Sequence, residues 1–567
     1  MNKLISVFLI LIFYSPSWAS VNMRNGSYSE TWVDYIDPGK GIEMKIERFY
    51  SSRSVYSGLF GFGWCSFLET HLTITSDGII NLTECGGGLE ITYYPKDFDL
   101  KSPEDTIKQI INDYKTKNKM SATDIANLRT QLRSNTKMRF EYANELGLIN
   151  IKKIKTKNQV FYSKNKGRES INFNGDYYER RRFDGRVEKF DQKGKLVQYS
   201  NQAGQTIRIE YSGKKIRYLV DKSNGRRLNF KYNIPGNGKL KKIYNGQGLE
   251  VTYKFNGENL VAVNNMWSKD YSFVYDTNHN LIQVDFPDKT SIQMTYNIQK
   301  DWIKTYTNRI QCVETFNFLL SKDDPQNHYW SVHTNACPGD PVGEGRHEFW
   351  YKNYSFSKDK YLNRVKENYL ENFKDAYFHP YLGQVITKRE NYLYQGFAYY
   401  LNGLMNKREY KLYGKNRDIV TWNKMTFAYD KNKDLPKESK KSNLDNKGKV
   451  TSKEVMKYKY NRKGFLEKAT NNNGDSLTIK YDSNGRIASM QDHTQAQLKL
   501  NYKVGIKKPV EIEQVGVGKI AISYDPQGAI KNVEFSGNRN VSTSTSVVQK
   551  FLEMIDFLGP LGESLKI

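Results

Sequence analysis

Tyr481-Asp482-Ser483-Asn484-Gly485-Arg486-Ile487 ends one apolar alternation and begins another. Upstream of it, Leu477, Ile479 and Tyr481 alternate with Thr478 and Lys480, the period-two pattern of a strand with one buried face. Within it, Asp482 can accept hydrogen bonds from backbone amides two residues on. Asn484-Gly485 tolerates the positive φ of a tight hairpin turn. The stretch therefore predicts strand, turn, strand.

The same signal recurs along the chain. Tyr460, Tyr481, Tyr502 and Tyr524 are spaced by 21, 21 and 22 residues, and Tyr211, Tyr232, Tyr253, Tyr275 and Tyr296 by 21, 21, 22 and 21. Apolar residues stand two and four positions before the tyrosines, as in Ile207/Ile209, Leu228/Phe230, Ile292/Met294 and Ile520/Ile522. The intervening Arg208, Asn229, Gln293 and Ala521 fall on the other face. A second turn of the same kind is Tyr524-Asp525-Pro526-Gln527-Gly528-Ala529-Ile530. A unit of this length holds two strands and cannot bury its own apolar face, so units must stack in a quasi-one-dimensional array. These nine tyrosines are the predicted repeat core.

The recurring Tyr-Asp-x-x-Gly-x-Ile/Leu pattern resembles the YD repeat of Rhs proteins, bacterial wall-associated proteins, the C components of insecticidal toxin complexes and teneurins. Val21 to Gly26, Phe49 to Ser54, and Gly58-Leu59-Phe60-Gly61-Phe62-Gly63-Trp64 resemble the module that opens many Rhs chains. The resemblance implies a mainly β fold: a YD-repeat β-hairpin solenoid, as a curled sheet or partial shell. In large family members that shell encloses a C-terminal toxin. Here no DPxGxxGG-like self-cleavage motif is found and about forty residues follow the last repeat, so no effector carried in cis is expected.

Composition agrees with a β-rich exported chain. Among 567 residues there are 41 Tyr, 28 Phe and 41 Gly, types that suit half-buried strands and turns. Residues 1–19 carry Lys3, an apolar run from Leu4 to Tyr14, and Ser17-Trp18-Ala19, which predicts a signal peptide cleaved after Ala19, the alternative being an uncleaved anchor. No transmembrane segment is expected after cleavage. Four cysteines fall into two near-neighbour pairs, Cys312 with Cys337 and Cys65 with Cys85. Both could close as disulfides in an oxidising compartment, or all four could be buried thiols. Net charge is +26, which suits an anionic partner or simply a solvated basic surface.

Two stretches break the period. Residues 101–140 read as an inserted helical hairpin, starting at Ser102-Pro103-Glu104-Asp105 with Ile107, Ile110, Ile111 and Tyr114 on one side, and again at Ser121 with Ile125, Leu128 and Leu132. The hairpin either packs on the sheet or projects as an arm. Residues 301–425 read as divergent β repeats with longer loops, Tyr381-Leu382-Gly383 and Tyr400 to Leu404 being degenerate turns. Residues 541–567 form a tail whose Val547, Val548, Phe551, Leu552, Ile555 and Leu558 predict an amphipathic C-terminal helix that caps the last repeat or binds a partner. The remaining divisions are a β module at 20–100 and repeats at 141–300 and 426–540.

Candidate chemistry is sparse. His328, His333, Cys337 and His347, near Asp323, Asp324, Asp340 and Glu344, are the densest titratable group, but their spacing fits no common zinc template. Gly86-Gly87-Gly88 lacks the lysine and helix of a phosphate cradle, and no GxSxG elbow is present. The expectation is a non-enzymatic scaffold or shell with no metal or cofactor. It would bind an envelope glycan or other anionic polymer, or hold an enclosed or docked polypeptide, with nucleic acid not expected. A further alternative is the carrier of a toxin-delivery system acting with a separately encoded effector.

Overall fold

The computed structural model describes residues 20–537, apart from 38–41, 76–77, 86–88, 96–101, 118–119, 135, 148–157, 164–168, 235–237, 354–359, 371, 401, 431–433, 504–507 and 525–529. The predicted signal peptide, the Gly86–Gly88 turn, the turn after Tyr524 and the tail helix lie outside the described residues.

The fold is mainly β. A single antiparallel ladder runs in sequence order from the strand His71–Ile74 to the strand Ile530–Gly537. Each strand pairs with the next, through short connections except between Leu89–Pro95 and Gln159–Tyr162, where the helical insertion intervenes, which keeps most contacts local and leaves a ribbon free to curl. Three arcs follow one another along the ladder, a first over residues 159–300, a middle over 301–425 and a second over 426–537, and in the first the strands are short, as in Thr206–Ser212, Leu240–Tyr244 and Leu281–Asp285. The apolar positions two and four before the anchors are buried: Ile207 and Ile209, Leu228 and Phe230, Ile292 and Met294, Leu477 and Ile479. The turn forms as its sequence dictates. Asp482 Oδ1 accepts from the Asn484 N–H at 2.9 Å and from the Arg486 N–H at 2.9 Å, and Gly485 has φ +80°. Asp276 and Asp191 make the same two bonds.

Two features were not in the pattern. First, the ladder shifts register by one residue at the anchors, for example at Lys480/Tyr481, Lys459/Tyr460, Val274/Tyr275 and Glu210/Tyr211. Such bulges bend a strand and increase its twist, so each repeat adds curvature where the tyrosine sits. Second, the anchor hydroxyl reaches back to the preceding repeat. Tyr211, Tyr275, Tyr296, Tyr481, Tyr502 and Tyr524 donate to the carbonyls of Leu196, Leu260, Leu281, Leu466, Ile487 and Pro509, at 2.7 to 3.0 Å and always fifteen residues upstream. The tyrosine staples neighbouring units together. Tyr253 is the exception in the predicted frame. The register shift falls at Lys254/Phe255, so Phe255 occupies the anchor position and Tyr253 lies two residues before it, on the same face.

The ribbon returns to meet itself. Lys463 Nζ donates to the Ala203 carbonyl at 2.7 Å, Gln202 Nε2 to the Lys463 carbonyl at 3.3 Å, and Gln205 Nε2 to Asn484 Oδ1 at 2.6 Å. One circuit thus takes about 260 to 280 residues. At the start of the ladder, His71 bridges to Lys195 and the Leu72 N–H donates to the Gly194 carbonyl at 2.8 Å. In the strands that follow, Arg180 is buried against Glu169 at 2.8 Å and Glu188 at 3.0 Å.

The inserted segment is three helices, Ser102–Lys117, Ala122–Ser134 and Thr136–Glu145, not the predicted hairpin. Met138, Tyr142 and Leu146, spaced by four, carry the apolar side onward and pack with Ile107, Ile110, Ile111 and Leu132 in a core separate from that of the sheet. Residues 301–425 also differ from expectation. Much of the added length lies in the strands, which reach 11 residues in Gly343–Asn353 and Ile419–Tyr429, and the staple persists there and at its far border, Tyr399 donating to the Val385 carbonyl and Tyr429 to that of Met405, both at 2.7 Å.

Candidate functional site

A separate four-stranded sheet holds Ser20–Asn22, Ser27–Asp37, Met44–Ser51 and Trp64–Cys65. It lies on the anchor-bearing face of the first arc. Met44, Ile46, Arg48 and Tyr50 share one side of their strand and are all buried, so a charged residue interrupts an otherwise apolar face. Arg48 Nε donates to Asp34 Oδ2 at 2.7 Å, and its guanidinium lies 4.2 Å from the centre of the Trp64 ring and 4.9 Å from that of Phe273. Burial pushes the Asp34 carboxyl up, against the pull of Arg48 and of the Tyr253 hydroxyl that donates to it at 3.1 Å. Burying this pair is costly unless both charges stay together, so it fixes the module's seat.

The first-arc anchors supply the rest of that seat. Trp64 Nε1 donates to the Tyr275 hydroxyl at 2.8 Å, and the Leu281 N–H donates to the Tyr50 hydroxyl at 2.8 Å. The Phe62 N–H donates to the Glu258 carbonyl at 2.9 Å; a side chain on Gly61 would collide with that carbonyl, which requires glycine there. Cys65 and Cys85 are joined as a disulfide, tying the module to the sheet, and Cys312 is joined to Cys337. Sequence reasoning missed Asp34, Arg48 and Phe255. The signal for Arg48 was available, since it stands in phase with Met44, Ile46 and Tyr50.

The module also reaches into the middle arc. Tyr329 donates to the Arg24 carbonyl at 2.6 Å, Ser331 Oγ to the Met23 carbonyl at 2.8 Å, and Arg24 Nε to the Tyr351 hydroxyl at 2.9 Å. Lys360–Tyr369, Asn372–Phe378, Val385–Glu390, Leu393–Tyr399 and Met405–Tyr413 contain no fully buried residue on either face. Register carries the core face through Phe316, His333 and Gly345 to Tyr369.

The titratable group expected in this arc is divided by the pleat. His333 and His347 share the core face, ring centres 5.4 Å apart, and His333 stacks on Tyr369 at 5.7 Å. Burial and His347 hold His333 below its ordinary value, while the bond to His347 holds Glu367 below its own. His328 is on the opposite face, stacked on Trp350 at 4.6 Å, and Cys337 is in its disulfide. Among the described residues no three metal-ligating side chains converge. An open cleft of about 500 Å³ lies beside Trp350, Arg364, Tyr377 and Asp324. Arg364 stands 4.6 Å from the Trp350 ring centre while pairing with Asp375 at 2.7 Å. His328 and Arg364 come from the two strands flanking Trp350, so both faces of the indole are taken and no flat platform is left for a sugar.

Residues 19–90 match the family model described as a domain of unknown function, DUF6531. No curated protein matches the chain. Similar solved structures include TcdB2-TccC3-Cdc42, with TM-score 0.39 and 10% identity over 91% of this chain, and TcdB2-TccC3, with TM-score 0.39 and 10% identity over 89%. The Photorhabdus luminescens Tc holotoxin pore matches with TM-score 0.28 and 9% identity over 89% of this chain. This chain spans 30% of the length of each of these solved chains.

Proposed function

We propose that this chain is an Rhs-like scaffold of the bacterial envelope or exterior, whose curled sheet holds a polypeptide partner without catalysis. The observation that supports the reading is the unequal use of the core face. The first arc spends it on the chain's own module, through Trp64, Tyr50 and Asp34. The middle arc leaves strands such as Lys360–Tyr369 and Met405–Tyr413 half-buried. Two disulfides suit an oxidising compartment, and no helix among the described residues is long and apolar enough to cross a membrane.

The test is native purification of the full chain from its source, with mass spectrometry of everything that elutes with it. A stoichiometric polypeptide, resistant to added protease until the scaffold is unfolded, is the expected result. A chain that elutes alone, or with a partner digested at the rate of free protein, would overturn the reading.

A further inference from the structure

The second arc carries on its outer side an unbalanced charge that its core chemistry does not use. Met425, Phe427, Met456, Tyr458, Ile479 and Leu498 define its buried face. Strand alternation and cross-strand register place Lys457, Lys459, Lys468, Lys480 and Lys499 together on the opposite face, all exposed. Lys459 and Lys468 are direct register partners, an arrangement that opposes folding unless a counter-charge is present. Outward acids stand opposite the two ends of the row, Glu438 facing Lys457 and Glu513 facing Lys499 in register; Glu438 is engaged by Lys440, and Lys459, Lys468 and Lys480 have no acid as a direct register partner. Among the described residues no ion pair reaches the five lysines.

We propose that this face is a binding site for an extended anionic polysaccharide, one bearing carboxylate or phosphate groups along its length. The lysines span five neighbouring strands, a row about 20 Å long at the usual strand spacing. Between them stand Thr470, Thr478, Ser489 and Gln491, donors and acceptors for hydroxyl groups. The outward positions from Thr451 to Asn501 include no aromatic ring, so the stacking that single-stranded nucleic acid relies on is missing. The first arc is different. There Lys231 also faces Lys242, but Lys242 is paired with Glu250 and Arg208 with Glu210. The inference does not depend on a polypeptide being held on the core face.

The experiment uses the full chain and measures binding to alginate, neutral dextran and a single-stranded oligonucleotide at low and raised salt. Lys457→Gln, Lys459→Gln, Lys468→Gln and Lys480→Gln are combined in one variant. An equal charge change, Lys222→Gln, Lys231→Gln, Lys254→Gln and Lys289→Gln, makes the control. Alginate should bind in a salt-sensitive way and weaken by roughly tenfold or more in the first variant, and by less than about twofold in the control. Lysine-to-arginine replacement at the same four positions should restore binding, which separates lost charge from lost folding. Equal weakening in both variants, tighter binding of the oligonucleotide than of alginate, or no alginate binding would each overturn the proposal.

Discussion

The first and second arcs use the same repeat for different ends. In both, an Asx turn, a register shift and a tyrosine staple link one hairpin to the next, as in Tyr275 to Leu260 and Tyr481 to Leu466. In the first arc the anchor also belongs to a second interface, since the Tyr275 hydroxyl accepts from Trp64 as it donates to Leu260. In the second arc Tyr481 has the staple and a stacked ring, Phe465, from its neighbouring repeat. A repeat sequence thus sets how units join, while what lies on their face depends on a segment two hundred residues away.

The strongest way to break this contrast is Trp64→Ala. Removing a fully buried indole that also supplies a hydrogen bond should cost about 3–5 kcal/mol, read as a lowered denaturation midpoint. Protease protection should be lost first in the first arc. Next comes the Cys312→Ser/Cys337→Ser double variant. Its disulfide closes a 25-residue separation around the strand whose Tyr329 and Ser331 meet the module, and its loss should cost about 3 kcal/mol in the chain-entropy picture, with the second arc's exchange protection unchanged. Tyr275→Phe and Tyr481→Phe sharpen the comparison directly. The first leaves Trp64 Nε1 without its acceptor and should cost about 1–3 kcal/mol, the second about 1 kcal/mol. Equal costs would show that the module adds nothing at that anchor.

A further expected effect is one of pH. Burial pushes Glu69, in the module's turn, from its ordinary 4.5 up to about 7, against the Leu59 and Ser66 amides that donate to it. The folded chain therefore keeps a proton there that the unfolded chain has released. This group's contribution is fullest below about 4.5 and is lost as pH rises towards about 7. Glu69→Gln should flatten that slope in thermal melts of the whole chain, whereas a slope identical to the parent would place the dependence elsewhere.

Much of the repeat was legible because its signals are local. Asp482 and Gly485 set a turn within a handful of residues, and Leu477/Ile479/Tyr481 set a face by alternation alone. Tyr253 shows the limit. Its spacing fits the period, but the turn before it is longer, Tyr232 pairing with Leu240 where Tyr481 pairs with Ile487, so the bulge moves to Phe255 and Tyr253 turns to Asp34 instead. In residues 301–425 the period blurred as several strands lengthened, while the staples from Tyr399 and Tyr429 remained. The third helix, Thr136–Glu145, was missed because Phe140 falls out of phase with Met138 and Tyr142 and blurs the helical spacing of its apolar residues.

The sequence by itself determined the hairpin unit, its turn chemistry and its buried face, since these rest on backbone dihedrals and on a two-residue alternation. Only the tertiary structure decided that the ribbon completes a circuit at Ala203 and Lys463, that the module fills the first arc, and that five lysines stand together on the second. Those outcomes depend on curvature summed over many bulges, and a small change at each would carry the later strands elsewhere.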